Sequence, residues 1–309
     1  MPNSFENLKN QETVNLKQLY ISTKVEDVFS EIETQLIGLR DIKIRLKEIF
    51  YVLLIDKIKK QKNNSFLNLS LHMVFTGRSG TGKFFVAKKI ALILKKLGYL
   101  TKGHILKVSR TDLIGQYVGH TAPKTKEILQ QAFGGILYLD QVHELYKPDN
   151  EKDYGSEAVE ILLQVMENHR DNLVLIFSGD KTKLEPFFKC NPGISSRIGN
   201  YIDFKNYSAD ELKEILIFLL ETQKRYKITF SALLKFLDYI NFFSKLKTFA
   251  NVRTLNLLLQ KAIAKQSIRL EKELVSSGFL AYNSLITIIE EDFNALTPTD
   301  IISICGQIG

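Results

Sequence analysis

Short apolar runs alternate with longer stretches of helical spacing as far as about residue 207. The runs have strand length and lie at 71–75, 105–108, 136–139, 173–177 and 201–204. This alternation predicts an α/β fold in which helices wrap a parallel sheet and ligands bind at the carboxyl ends of the strands. After Tyr207 the spacing is helical with short breaks as far as Ile304, so we expect no further strands.

The same patterns indicate where the domains begin and end. Residues up to about 15 lack periodicity, whereas 25–36 and 42–58 carry the apolar spacing of amphipathic helices. Ser208, followed by acidic residues as far as Glu211, predicts the N-terminus of another helix. We therefore expect an N-terminal tail at 1–24, an α/β domain at 25–206 and a helical domain at 207–309.

The segment 71–90, LHMVFTGRSGTGKFFVAKKI, combines a predicted strand, a glycine-rich turn and a helix. Its centre has the pattern Gly-x-x-x-x-Gly-Lys, in which backbone amides at a helix N-terminus and one lysine bind nucleotide phosphates. The predicted phosphate-binding residues are Gly77, Arg78, Ser79, Gly80, Thr81, Gly82 and Lys83. The alternative is a glycine-rich turn that binds nothing.

Two positions differ from those expected for ATP hydrolysis. Phe84 stands where this motif has the Ser or Thr that ligates Mg²⁺. Asp140 ends an apolar run and is the predicted metal-holding carboxylate, but Gln141 follows it where an ATPase has a glutamate base. An amide cannot accept the proton of water, and the loss of a general base costs ~10²- to 10⁴-fold in rate. Glu144, one helical turn further on, is the alternative base.

Composition excludes several other kinds of protein. The chain has 309 residues and a net charge of +8, but its lysines are spread along predicted helices, and we find no nucleic-acid-binding motif. No stretch approaches the ~20 apolar residues of a membrane span. Cys190 and Cys305 are too few for a disulfide framework. We expect no nucleic acid, no membrane, and a reducing compartment.

Taken together, these residues resemble the AAA+ ATPases and, among them, the CbbX (CfxQ) family, the red-type rubisco activases. The resemblance covers roughly residues 25–275. Besides the glycine-rich turn, it depends on Leu36-Ile37-Gly38-Leu39, the run DLIGQYVGHTAPKT at 112–125, DYG at 153–155 with Glu157-Ala158, the run 161–168, and NPGISSR at 191–197.

The resemblance implies a three-layer αβα parallel-sheet nucleotide domain followed by a small all-helical lid. It also implies roles for individual residues. Ile37 and Gly38 would line the adenine pocket, and Tyr117 would lie on a pore loop that grips a peptide. Arg197 would be the arginine finger that reaches a neighbouring subunit's γ-phosphate, and Arg253 would be the sensor 2 residue of the lid. The alternatives are a core tyrosine for Tyr117 and a surface arginine for Arg197.

Function and partners are likewise implied by the resemblance. Members of the family form hexameric rings that use ATP, with Mg²⁺, to pull the C-terminal tail of the rubisco large subunit. Ribulose bisphosphate would act as a modulator. The expected location is the plastid stroma of a red-lineage alga, with the bacterial cytoplasm as the alternative. The ring would contain either identical subunits or other CbbX-type subunits as well.

Three hypotheses remain open, because Phe84 and Gln141 both affect catalysis while the other motor residues are present. The first is a ring subunit that binds nucleotide, hydrolyses it poorly and acts beside a competent partner. The second is an active ATPase with an altered metal shell, in which Glu144 or Gln141 positions the water. The third is a scaffold that has lost nucleotide binding.

Overall fold

The computed structural model describes residues 16–61, 69–117, 119–145, 154–224 and 226–306. They form two compact units, whose described residues fall within 1–77 and 82–204 for the first and within 78–81 and 205–309 for the second. The tip of the glycine-rich turn is therefore grouped with the second unit.

The first unit is built on a parallel sheet. Its strands are β1 (Met73–Thr76), β2 (Ile105–Val108), β3 (Ile136–Leu139), β4 (Val174–Gly179) and β5 (Asn200–Asp203). They lie in the order β2-β3-β4-β1-β5, and every pairing is parallel. All five predicted strands are present, within two residues of the predicted bounds.

Helices cover both faces of this sheet. They are α1 (Leu16–Thr23), α2 (Val25–Gln35), α3 (Arg40–Gln61), α4 (Lys83–Lys96), α5 (Arg110–Leu113), α6 (Thr121–Ala132), α7 (Gly155–Asn168), α8 (Lys181–Cys190) and α9 (Pro192–Ser195). Alternate strand residues point to opposite faces. Phe75 and Tyr138 pack in one apolar cluster with residues of α2, α3 and α4, whereas Val74 and Leu137 pack in another with residues of α6, α7 and α8. The predicted three-layer αβα fold is confirmed.

The second unit is mainly helical. Its elements are α10 (Ala209–Leu219), a π-helical segment (Leu220–Lys224), β6 (Lys227–Ile228), α11 (Phe230–Ser244), α12 (Val252–Ser277), α13 (Tyr282–Ile286), β7 (Thr287–Ile288), α14 (Glu290–Asn294) and α15 (Pro298–Gly306). The helix predicted to begin at Ser208 has the expected capping box, since the Ser208 hydroxyl accepts from the Glu211 amide at 3.1 Å and the Glu211 carboxylate accepts from the Ser208 amide at 2.8 Å.

Two details differ from the sequence predictions. The expectation that strands end at Tyr207 is wrong, because β6 and β7 pair in parallel; strands of two residues are too short to show periodicity. The predicted tail at 1–24 includes α1, on which the Tyr20 ring packs edge-on against Phe50 at 5.6 Å. Residues 1–15 of that tail, and Asp153 in the run DYG, lie outside the described residues.

No helix in the described part of the chain is both long and apolar enough to cross a membrane.

Candidate functional site

The glycine-rich turn follows β1 and leads directly into α4. Gly77 and Gly82 have φ angles of 134° and 90°, which only glycine adopts without strain. A Cβ at Gly77 would lie 2.3 Å from the Phe204 carbonyl oxygen, so no other residue fits there. Lys83 begins α4, and its ammonium group donates to the Gly77 carbonyl at 2.6 Å. The lysine is thus held at the mouth of the turn, at the positive end of a helix.

Asn251 anchors the tip of the turn, Arg78–Thr81, within the second unit. Its amide nitrogen donates to the Ser79 carbonyl at 3.2 Å and to the Asn206 side chain at 3.1 Å, while its amide oxygen accepts from the Tyr207 backbone at 3.0 Å. Asn251 is fully buried and has a φ of 49° and a ψ of −123°, a backbone conformation that residues other than glycine rarely adopt. It organises the tip although no motif pointed to it.

Gly80 is packed against the residues that start α12. Its carbonyl accepts from the Val252 amide at 3.3 Å. A Cβ at Gly80 would lie 2.0 Å from the Ala250 carbonyl oxygen, so this contact requires glycine. Arg253, the predicted sensor 2 residue, lies in the first turn of α12 and is exposed.

The predicted metal-holding carboxylate already has a cationic partner. Asp140 follows β3, and its Oδ2 atom lies 2.7 Å from the Nζ atom of Lys107 on β2. The register pairs Lys107 with Tyr138, two residues before Asp140, so the lysine and the aspartate lie on the same face of the sheet. Sequence reasoning missed Lys107, and the available signal was a charged residue inside the short apolar strand ILKV.

Phe84 fills the position next to this ion pair. Its ring packs edge-on against Tyr138 at 5.1 Å, and the ammonium groups of Lys88 and Lys107 lie 4.8 Å and 5.5 Å from its centre. Tyr138 is buried and its hydroxyl donates to Ser178 at 2.7 Å. Burial raises the pKa of the Tyr138 phenol, so this hydroxyl stays protonated at physiological pH.

These residues do not fit the Mg²⁺ site of an ordinary P-loop. Magnesium requires oxygen ligands in near-octahedral geometry. Phe84 offers no oxygen, and the carboxylate of Asp140 is engaged by Lys107. The chemistry of this edge is therefore cationic rather than metal-ligating.

Gln141 begins a tight turn after Asp140. Its φ angle is 51°, and its carbonyl accepts from the Glu144 amide at 2.9 Å in the 3-10 turn Val142–Leu145. The Glu144 carbonyl accepts from the guanidinium of Arg110 at 2.6 Å. His143, in the same turn, has a buried Nδ1 atom without a hydrogen-bond partner, and burial lowers its pKa.

Tyr117 lies on an exposed loop. Its side chain is 67% exposed, which rules out the alternative of a core tyrosine. The base of the loop is fixed because the Gly115 amide donates to the Thr121 hydroxyl at 3.1 Å. Tyr117, its edge-on neighbour His120 and Lys124 help to line a surface cavity of about 450 Å³. The loop thus presents an aromatic ring from a fixed base.

Arg197, the predicted arginine finger, is held by contacts within its own chain. Its guanidinium donates to the Gly193 carbonyl at 2.8 Å and to the Glu167 carboxylate at 2.9 Å. Glu167 lies on α7, is largely exposed, and was not identified from the sequence. A contact with a neighbouring subunit would require the arginine to exchange this carboxylate for another anion.

Ile37 and Gly38 lie between α2 and α3. Gly38 has a φ of 67°, Leu39 follows with a φ of 49°, and the Leu39 carbonyl accepts from the amides of Ile42 and Lys43 at the start of α3. Ile37 and Gly38 are both partly exposed. The structure therefore brings Phe84, Lys107 and Asp140 together, whereas Ile37, Tyr117 and Arg197 lie in loops of their own.

Comparison with known proteins defines the class of protein first. The model of the ATPase family associated with various cellular activities (AAA) matches residues 73–205, and that of the AAA lid domain matches residues 208–301. The crystal structure of the FIGL-1 AAA domain in complex with ADP superposes with a TM-score of 0.56 at 13% identity, covering 91% of this chain and 95% of that chain, which shows the fold alone. Fold and site together define an AAA ATPase domain with its lid, and that class binds nucleotides.

Relatives in sequence then identify the family. The chain is 48% identical to the protein CfxQ homolog of Galdieria sulphuraria over 287 residues, which cover 93% of each chain. It is 46% identical over 260 residues to the chloroplastic ribulose bisphosphate carboxylase/oxygenase activase of Cyanidioschyzon merolae, covering 84% of this chain and 88% of that one. The chain belongs to the CfxQ (CbbX) family, the red-type rubisco activases. The resemblance inferred from the sequence is confirmed.

Proposed function

We propose that this chain is a subunit of a CbbX-type rubisco activase ring that binds ATP but hydrolyses it slowly. The observation that carries the proposal is the state of Asp140, whose carboxylate is paired with Lys107 at 2.7 Å beside the ring of Phe84. The relative named as a rubisco activase and the match to the AAA family support the broader role of a rubisco activase ATPase.

Slow hydrolysis follows from two independent deficits. Phe84 cannot ligate a metal, and Gln141 cannot take a proton from the attacking water. Losing the general base alone costs ~10²- to 10⁴-fold in rate. Nucleotide binding does not require either group, because Lys83 and the amides of the glycine-rich turn supply the phosphate contacts. Binding and hydrolysis are therefore separable in this chain.

The remaining residues suit a supporting role in a mixed hexamer. Arg197 would reach the nucleotide of a competent neighbour after leaving Glu167, and an arginine in this role is worth ~10³- to 10⁵-fold in rate. Tyr117 would grip the C-terminal tail of the rubisco large subunit, since an exposed aromatic ring on a loop suits a peptide backbone. Ile37 and Gly38 would line the adenine pocket, and Arg253 would sense the nucleotide from the lid.

The relatives support the proposed setting. The activase of Cyanidioschyzon merolae is named as chloroplastic, and other relatives come from algae, which supports the plastid stroma. A relative from Cereibacter sphaeroides keeps the bacterial cytoplasm as the alternative. Ribulose bisphosphate is the proposed modulator of the ring.

The test is ATP turnover by the purified chain, alone and mixed with an intact CbbX-type subunit, with and without inhibited rubisco. We expect negligible turnover alone and altered turnover in the mixture, with nucleotide bound in both cases. The matched control is Lys83→Ala, which should abolish binding. Turnover by the chain alone at the rate of the intact subunit would favour an active ATPase instead, and absence of nucleotide binding would favour a scaffold.

A further inference from the structure

Lys107 occupies an unusual place for a lysine. It lies within β2, a strand of the sheet edge, and its ammonium group lies 2.7 Å from Asp140. The side chain of Lys107 is 46% exposed and that of Asp140 is 30% exposed, so the pair faces solvent where a ligand can reach it. Surface ion pairs contribute little to stability. A contribution to folding is therefore a weak explanation for this pair.

Phe84 lies next to the ion pair of Lys107 and Asp140. It follows Lys83 directly on α4, at the position where the motif has the Ser or Thr that ligates Mg²⁺. The ring lies 5.5 Å from the ammonium of Lys107 and 4.8 Å from that of Lys88. An aromatic face attracts cations electrostatically. Phe84 thus replaces a metal ligand with a surface that holds ammonium groups.

A divalent metal would meet repulsion at this place. It would have to share the Asp140 carboxylate with Lys107, a cation already in contact with it. No hydroxyl at position 84 compensates. The ammonium groups of Lys88 and Lys107 around the Phe84 ring supply positive charge at this place from the chain itself.

We propose that the ammonium group of Lys107 takes the place of Mg²⁺, so that this chain binds nucleotide without a metal ion. The proposal rests on the nucleotide binding proposed above and adds its ionic requirement. The ligand class is a nucleoside triphosphate free of divalent cation. Lys107 contacts the phosphates from the strand side while Lys83 contacts them from the helix.

The experiment measures binding of fluorescently labelled ATP to the full chain in excess Mg²⁺ and in excess EDTA. The wild-type chain should bind at least as tightly in EDTA as in Mg²⁺. Lys107→Ala should weaken binding in EDTA by about 10- to 100-fold, the usual effect of losing a hydrogen bond to a charged group. Lys107→Arg should restore it. The matched control is Lys102→Ala, which removes the same charge from an exposed position before β2 and should change neither affinity.

A second variant separates the contribution of Phe84. Lys107→Ala combined with Phe84→Thr frees Asp140 and restores a hydroxyl, so binding should become dependent on Mg²⁺. Circular dichroism would verify the fold, because Phe84 packs against Tyr138.

The outcomes distinguish this proposal from the one on which it rests. Wild-type binding that requires Mg²⁺ and is indifferent to Lys107→Ala would overturn the role of Lys107 and leave the proposed function intact. No binding under either condition would overturn both.

Discussion

Replacing Asn251 with alanine should destabilise the second unit and weaken nucleotide binding together. The substitution removes hydrogen bonds to the Tyr207 amide, the Ser79 carbonyl and the Asn206 side chain. Tyr207 is buried, whereas Ser79 and Asn206 are exposed and can turn to water. Only the Tyr207 amide is therefore left buried without a hydrogen-bond acceptor. It costs about 1–3 kcal/mol, and each of the other two bonds contributes about 0.5–1.5 kcal/mol.

The total loss is about 2–6 kcal/mol in the free energy of unfolding. At about 2–4 °C per kcal/mol, the melting temperature should fall by roughly 4–24 °C. The same change releases the tip of the glycine-rich turn, so the affinity for ATP should decrease in parallel.

The matched control is Asn256→Ala on the same helix. Asn256 is half-buried and makes one side-chain bond, to the Val252 carbonyl at 3.0 Å within its own helix, so its loss should cost only about 0.5–1.5 kcal/mol. Differential scanning fluorimetry with and without ATP measures both quantities. Equal shifts for the two variants would refute the anchoring role of Asn251.

Three further predictions concern other parts of the chain. Tyr117→Ala should weaken rubisco remodelling and leave ATP affinity unchanged; an equal loss of both would contradict a pore-loop role. Arg197→Ala should depress hydrolysis by a competent partner in mixed rings, and an unchanged rate would remove the arginine-finger assignment. Lys265 and the hydroxyl and amide of Thr297 hold the pKa of Asp300 below its ordinary value, so the stability this carboxylate provides is complete above its unfolded pKa and is lost as the pH falls through the folded one. Asp300→Asn should therefore lower the melting temperature at neutral pH but not in strong acid, and a pH-independent difference would count against this.

The sheet and the glycine-rich turn could be predicted because their signals are local. Short apolar runs indicate the strands, and Gly77 and Gly82 stand where the backbone requires positive φ angles. The pair formed by β6 and β7 could not be predicted, since a strand of two residues is too short to show an alternation of apolar and polar positions. The differences at Phe84 and Gln141 could be recognised from the sequence because each position has a defined place in a motif.

Contacts between segments that are distant in the sequence could not be predicted. The pairing of Lys107 with Asp140 depends on the register between β2 and β3, which no turn fixes because parallel strands are joined by long crossovers. Glu167 and Arg197 are thirty residues apart in sequence and meet only through the packing of α7. A sequence motif identifies the residues that contact the ligand. The residues that hold those side chains in place can lie far away in the sequence, and no motif identifies them.

The most direct test of slow hydrolysis is the identity of the nucleotide that stays on the protein. The purified chain is incubated with ATP, freed from unbound nucleotide by gel filtration, denatured, and its nucleotide separated by ion-exchange chromatography. Retained ATP is the predicted result, because Phe84 and Gln141 remove the metal ligand and the base while Lys83 still binds the phosphates. Retained ADP would show that this chain hydrolyses ATP by itself, and would contradict the account.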